Sequence, residues 1–174
     1  MSLFEATRHL HHACEAHPVG KRMAAGTITP QEWADWLAAF RAVHIVIDPV
    51  LPAHLSRVAL LDADLALLPT PRGGQAAGAL ADSLTSDNAI SAAAYVLHGA
   101  HRRGGRVLAA TMAKAGLPTA HVIYPMPAQA EAFVKELRDR SELSEAAQEV
   151  FAGLLAVMDE IEASPVDLPA IDGA

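Results

Sequence analysis

From Thr29 to Leu51 the chain carries a helix signal that leaves little room for any other local fold. Thr29-Pro30-Gln31-Glu32 supplies an N-cap hydroxyl, a proline at the first helical position and the acidic half of a capping box. Beyond it, Trp33, Trp36, Leu37, Phe40, His44, Ile47 and Leu51 recur at offsets of three, four and seven, which is one face of a helix. Pro49 and Pro52 are expected to kink or end that helix.

The same period recurs from end to end, and strand-like alternation does not. A first helix is expected over about Leu3 to Ala16, with Leu3, Thr7, Leu10 and Cys14 on its inner stripe, and a third over Ala53 to Leu68. Pro69-Thr70-Pro71-Arg72-Gly73-Gly74 reads as a loop. Ser86 offers the cap for a helix on which Ile90, Ala94, Leu97, His101, Gly104 and Leu108 share a face. Pro127 suits the first turn of a helix through about Arg138. Ser144 is expected to cap the last one, with Ala147, Val150, Phe151, Leu154, Met158 and Ile161 inward. The expected class is therefore all-α, a single-domain bundle of about six to eight helices.

At 174 residues and 52% hydrophobic, the chain has enough material for one substantial core and too little for two domains. That domain is expected over residues 1–163, with an irregular tail over 164–174 that contains Pro165 and Pro169. A formal net charge of -7 argues against nucleic acid as a partner, because phosphate neutralisation calls for a clustered basic surface. Cys14 is the one cysteine, so no intramolecular disulfide forms, and Met1-Ser2-Leu3-Phe4-Glu5 lacks the features of a secretory signal. No apolar run reaches the roughly 20 residues of a membrane span. The expected setting is cytoplasmic.

Two segments bear the candidate chemistry. Gly99, Gly104 and Gly105 fall within one helical pattern, where each glycine costs roughly 0.8–1 kcal/mol relative to alanine. Either the helix lies directly over a flat ligand that side chains would block, or it ends near Gly99 and a loop joins two helices, or the glycines permit close helix contact. At about 100° per residue, His11 leans toward the apolar stripe of the first helix while His12 points away. It is either a metal ligand or a packed, hydrogen-bonded side chain. The helical spacing of His9, His11, His12 and His17 spreads them around the axis, which disfavours a surface metal site. His44 lies within an apolar stripe and reads as a core or pocket histidine.

Ala6-Thr7-Arg8-His9-Leu10-His11 resembles the first-helix motif of the heme oxygenase family. Ala25-Gly26-Thr27-Ile28-Thr29 resembles the turn before that family's second helix. Arg57 with Asp64-Leu65 looks like its arginine and Asp-Leu pair, and Tyr95-Val96-Leu97 with Gly104-Gly105-Arg106-Val107-Leu108 looks like the distal helix of its bacterial members. Order and spacing agree over roughly residues 3 to 160. The resemblance implies a heme oxygenase-like fold in which His11 is the proximal ligand to heme iron and Gly99 and Gly104 form the distal wall. It further implies that Arg8, Lys135 and Arg138 meet the heme propionates. The implied reaction uses heme as both cofactor and substrate, with O2 and an external electron donor, ferredoxin or another reductase. Its products are biliverdin, iron and carbon monoxide.

Within the distal segment, Ala100, His101, Arg102 and Arg103 stand where bacterial members carry three small or apolar residues. Alignment from the left makes Gly99 the distal glycine, and from the right Ala100. On a regular helix His101 shares a face with Leu97 and Gly104 and points at the iron, which would give a bis-histidine protein that binds heme without degrading it, as carrier or sensor. The expectation is instead a bulge that turns His101 toward solvent or the propionates, because Arg102 and Arg103 also require water. A non-heme di-iron or thiamin-degrading relative of the same fold is the weakest alternative. A di-iron centre draws carboxylates and histidines from several helices, and no histidine follows His121.

Overall fold

Local capping sets the first helices. In the computed structural model, which describes residues 2–164 and only the backbone at positions 102–104 and 106, Ser2 and Glu5 form a reciprocal capping box at the start of α1, Leu3–Ala16. The second helix, α2 over Pro18–Ala25, was not among those expected. His17 ends α1 and accepts the Val19 N–H on its ring, and Pro18 takes the first helical position. Gly26 closes α2 at φ +70°, and a Cβ there would sit 2.8 Å from Thr111 Cγ2, so both conformation and close approach require glycine.

Helix α3, Pro30–Ile47, opens with the expected box: Glu32 Oε2 accepts the Thr29 N–H at 2.8 Å and Thr29 Oγ1 accepts the Glu32 N–H at 3.2 Å. It ends before Pro49, in a 3-10 turn over Asp48–Val50. The helix expected over Ala53 to Leu68 is broken and shorter. A 3-10 turn covers Ala53–Leu55, and α4 runs over Val58–Leu65. The cause lies upstream, since the Asp48 carboxylate accepts the N–H groups of Arg57 (2.7 Å) and Val58 (2.9 Å) and caps the helix there.

After the expected loop comes α5, Gln75–Ser83, which local sequence did not announce because its cap is distant: Glu160 accepts the N–H groups of Gln75 and Ala76. Helix α6 then runs unbroken over Asp87–Lys114, so the alternative of two helices joined at Gly99 does not hold. The bulge expected around His101 is absent as well. Helix α7 spans Pro127–Arg138, and α8 spans Ser144–Ala163. Ser144 is the first residue of α8 and not its cap; its hydroxyl donates back to the Ser141 carbonyl at 2.7 Å within a preceding 3-10 turn. Residues 165–174 of the expected tail lie outside the described residues.

The described residues thus form eight α-helices and four 3-10 turns in one layered bundle. Helix α8 packs on α1, α5 and α6, and α3 and α6 carry the centre of the core through Trp33, Leu37, Val43 and Leu97, all 0% exposed. The inward face expected of α8 is the buried one. No helix among the described residues is long and apolar enough to cross a membrane.

Two buried ionic residues fix the connection after α6. Arg57, 1% exposed, donates to the carbonyls of His54, Leu55 and Ile123 and lies 4.2 Å over the Tyr124 ring. Asp64 accepts the N–H groups of Ala120 (2.9 Å) and His121 (3.0 Å) and the Nδ1–H of His121 (2.6 Å). Replacing Asp64 with alanine strands two buried donors of His121 and the part-buried Ala120 N–H. The expected loss is about 3–5 kcal/mol of unfolding free energy, measured by chemical denaturation.

Candidate functional site

Helices α1 and α6 face one another across a cavity of about 530 Å³, floored by α8 and closed at its sides by α2, α3 and α7. Its size falls in the range of small-molecule and cofactor sites. The wall is mostly apolar and includes Met23, Trp36, Phe40, Phe151, Leu154 and Met158. Periodicity marks these as core, and nothing local distinguishes a core side chain from one that borders a hole.

The α1 wall presents Thr7, Arg8 and His11. Thr7 is buried because its hydroxyl donates to the Leu3 carbonyl at 2.7 Å, which satisfies it within the helix. The His11 side chain is 50% exposed and its ring meets Phe151 edge-on, with centroids 6.2 Å apart. Glu15, one turn on, lies 3.5 Å from His11 Nδ1, so a carboxylate stands on one side of the imidazole and leaves Nε2 available as a ligand nitrogen. His9 and His12 are exposed, and His17 is engaged with the Val19 N–H and with Asp159 at 3.2 Å.

Across the cavity, Gly99 lines the α6 wall, and among the described residues a Cβ there would meet only Val134 Cγ1, at 3.8 Å. Gly105 has a second duty. A Cβ there would come within 3.2 Å of Val122 Cβ, so this glycine lets α6 approach the 3-10 turn over Ala120–Val122. The side-chain positions of Gly104, Arg102 and Arg103 lie outside the described residues.

Of the three basic residues singled out in the sequence, Arg8 and Arg138 line the cavity, and among the described residues the buried Nε of Arg138 has no hydrogen-bond partner. Lys135, exposed on α7, lies outside the cavity wall. Cys14 also borders the cavity, and burial pushes its thiol up to about 11, so it is no nucleophile.

His101 is where structure and sequence expectation part. It does not turn to solvent: it is 3% exposed, borders the cavity and packs edge-on against Phe40 at 5.1 Å. Around it lie His121 at 5.3 Å, His44 at 5.8 Å and His98 at 6.4 Å between ring centroids. His44 donates from Nδ1 to Asp48 at 2.8 Å, and His98 Nδ1 lies 2.7 Å from the Tyr124 hydroxyl. A His44-Asp48 pair at i and i+4 was visible in the sequence, but not the partners that three other segments bring to it.

Burial is the leading influence on these rings. It lowers the pKa of His98 to about 3, helped by His44 and Arg57, drives that of His101 well below the usual value, and lowers that of His44 against the opposing pull of Asp48. Burial alone would raise the Asp48 carboxyl, yet the hydrogen bonds from His44, Val58 and Arg57 hold it at about 2.

No protein-family model matches this chain, and neither does any curated protein. Solved structures do match, and they define the class as an all-α, heme oxygenase-like fold. The heme oxygenase from Leptospira interrogans superposes with a TM-score of 0.77 at 18% identity, covering 91% of this chain and 97% of its own. Heme oxygenase-1 from the cyanobacterium Synechocystis, solved in complex with heme, gives a TM-score of 0.77 at 16% identity, covering 92% and 90%.

The buried imidazoles make stability depend on pH. An unfolded histidine titrates near pH 6.5, while folded His98 stays neutral to about 3. Below pH 6.5 the unfolded chain therefore takes up protons that the folded chain refuses, and stability falls as the pH drops toward 3. A His98→Leu variant is expected to show a shallower decline between pH 6 and 4, by about 1.4 kcal/mol per pH unit, in denaturation midpoints taken across that range.

Proposed function

We propose that this chain binds heme between α1 and α6 and degrades it with O2 and reducing equivalents to biliverdin, iron and carbon monoxide. The observation that carries the proposal is the joint lining of one largely apolar cavity by His11 and Gly99, within a fold shared with heme oxygenases.

The residues present fit a flat, carboxylate-bearing group with a central metal. His11 offers a half-exposed imidazole backed by Glu15, as an axial ligand requires. Arg138, whose buried Nε has no partner among the described residues, and Arg8 offer charge-assisted hydrogen bonds to propionates; Lys135, named with them by the resemblance, stands outside the cavity wall. Trp36, Phe40 and Phe151 exclude water from the ring faces, and Gly99 leaves room on the α6 side for a small ligand. Heme, when bound, supplies the oxygen chemistry, and the protein supplies orientation and a shaped enclosure. Ferredoxin or another reductase delivers the electrons. A cytoplasmic location suits that supply.

The burial of His101 on the cavity wall favours one competing reading, a heme protein with both axial positions filled by histidine and no degradation. Hemin titration followed by reductant and a ferredoxin system in air separates the two. Loss of the Soret band with appearance of biliverdin supports degradation, a persistent bis-histidine spectrum supports the binder, and no Soret shift removes both. The His11→Ala protein is expected to lose the wild-type ligation spectrum and to regain it when imidazole is added. Gly99→Leu, which fills the open side of α6, is expected to weaken hemin binding about tenfold in the same titration.

A further inference from the structure

Among the described residues four buried imidazole nitrogens have no hydrogen-bond partner, and three of them, Nε2 of His44, His98 and His101, belong to one cluster. Unmet buried nitrogens are uncommon and call for an explanation. Among the described residues no three His, Cys, Asp or Glu side chains are arranged to hold a metal ion, so the explanation lies in hydrogen bonding.

The tautomers supply it. The Asp48 carboxylate beside His44 Nδ1 assigns the single proton of that ring to Nδ1, which leaves His44 Nε2 a bare acceptor. Asp64 engages Nδ1 of His121 in the same manner. His101 stands between these two rings, with its Nε2 sealed in the same core. A neutral imidazole owns one donor and one acceptor, so next to bare acceptors the favoured tautomer of His101 carries its proton on Nε2. No direct hydrogen bond joins the three Nε2 atoms, so a bridging water that accepts from His101 and donates to His44 would carry the contact. Arg57 makes no hydrogen bond to these rings; its Nε, Nη1 and Nη2 donate to carbonyls instead. The proton assignment leaves Nδ1 of His101 bare, on a ring that borders the cavity.

We propose that His101 turns a bare ring nitrogen toward the α6 side of the cavity and accepts a hydrogen bond from a protic ligand held there, water in the resting heme complex. The proposal rests on the heme-binding reading and adds to it a group that retains the small ligand on the face away from His11. Asp48 and Asp64, through His44 and His121, are positioning residues for that nitrogen.

Two measurements test it. In the apoprotein, nitrogen NMR of the imidazoles is expected to report His101 protonated on Nε2; protonation on Nδ1 overturns the proposal. In the hemin complex, absorption and resonance Raman spectra are expected to show a six-coordinate high-spin ferric iron with water in the wild type. His101→Leu loses the sixth ligand and becomes five-coordinate, and His101→Gln, which keeps an acceptor, retains it. His101→Met replaces the leucine variant if circular dichroism shows the latter unfolded. A leucine or methionine variant that keeps its water overturns the proposal, as does a low-spin wild-type spectrum that these variants abolish, since His101 would then bind iron directly. A wild-type protein that gives no Soret shift fails the heme reading and the proposal together. A normal Soret shift with unchanged coordination fails the proposal alone.

Discussion

One carboxylate, that of Asp48, ties the end of α3 to the start of α4 and to the buried histidines. It accepts from His44 Nδ1, from the Ser56 hydroxyl and from the N–H groups of Arg57 and Val58. Through those contacts it ends α3, sets the start of α4 and orients the first histidine of the buried cluster. It also seats the Arg57 backbone at the point from which the guanidinium reaches under the Ile123 and Tyr124 connection. An ionised carboxylate with four donors is stable in such a place because each lone pair finds a partner in the same fold, and only there. The wall of the cavity formed by α6 and the Ala120–Val122 turn leans on this arrangement and on its counterpart at Asp64.

What the sequence made legible was local. The Thr29 capping box, the apolar face of α8 and the inner stripe of α1 depend on residues within two turns of each other, and they stand as expected. Misjudged boundaries trace to distant partners. Helix α4 starts late because Asp48 caps it from ten residues upstream, and α5 exists because Glu160 caps it from the far end of the chain. The site divides in the same way. Local position and the resemblance to a family motif both favoured His11, and it lines the cavity. The direction of His101 is decided by α3 and the Ala120–Val122 turn, which no local pattern encodes. Arg138 over Lys135 is a question of about 60° on one helix, set by how α7 packs.

The glycines of α6 show two separate physical reasons within one helix. Gly105 is a packing glycine: at 3.2 Å, a Cβ would force Val122 and the turn that carries His121 away from the helix. Gly99 has no such neighbour, and its nearest side-chain atom would lie at an ordinary 3.8 Å. Packing accounts for the first and leaves the second unexplained; both glycines line the cavity, and Gly99 does so with no packing reason to be glycine. The propensity cost of both is borne by tertiary contacts, since α6 packs against α7, α8, α3 and α2 along its length.

The two histidines that border the cavity from α1 and α6 stand in opposite electrostatic settings. His11 is half exposed beside Glu15, free to meet a metal with little reorganisation. His101 is sealed among three other imidazoles, and burial keeps it neutral far below ordinary pH. A ring in the first setting binds strongly and in a fixed orientation. A ring in the second supplies a hydrogen-bonding edge without carrying charge, because protonating it would place a cation in a core that already holds Arg57. A cavity walled by such a pair is asymmetric. Under the proposed heme reading, His11 would hold one face of the guest and the neutral His101 edge would leave the other to small ligands, whereas an electron-transfer site would have both faces tied.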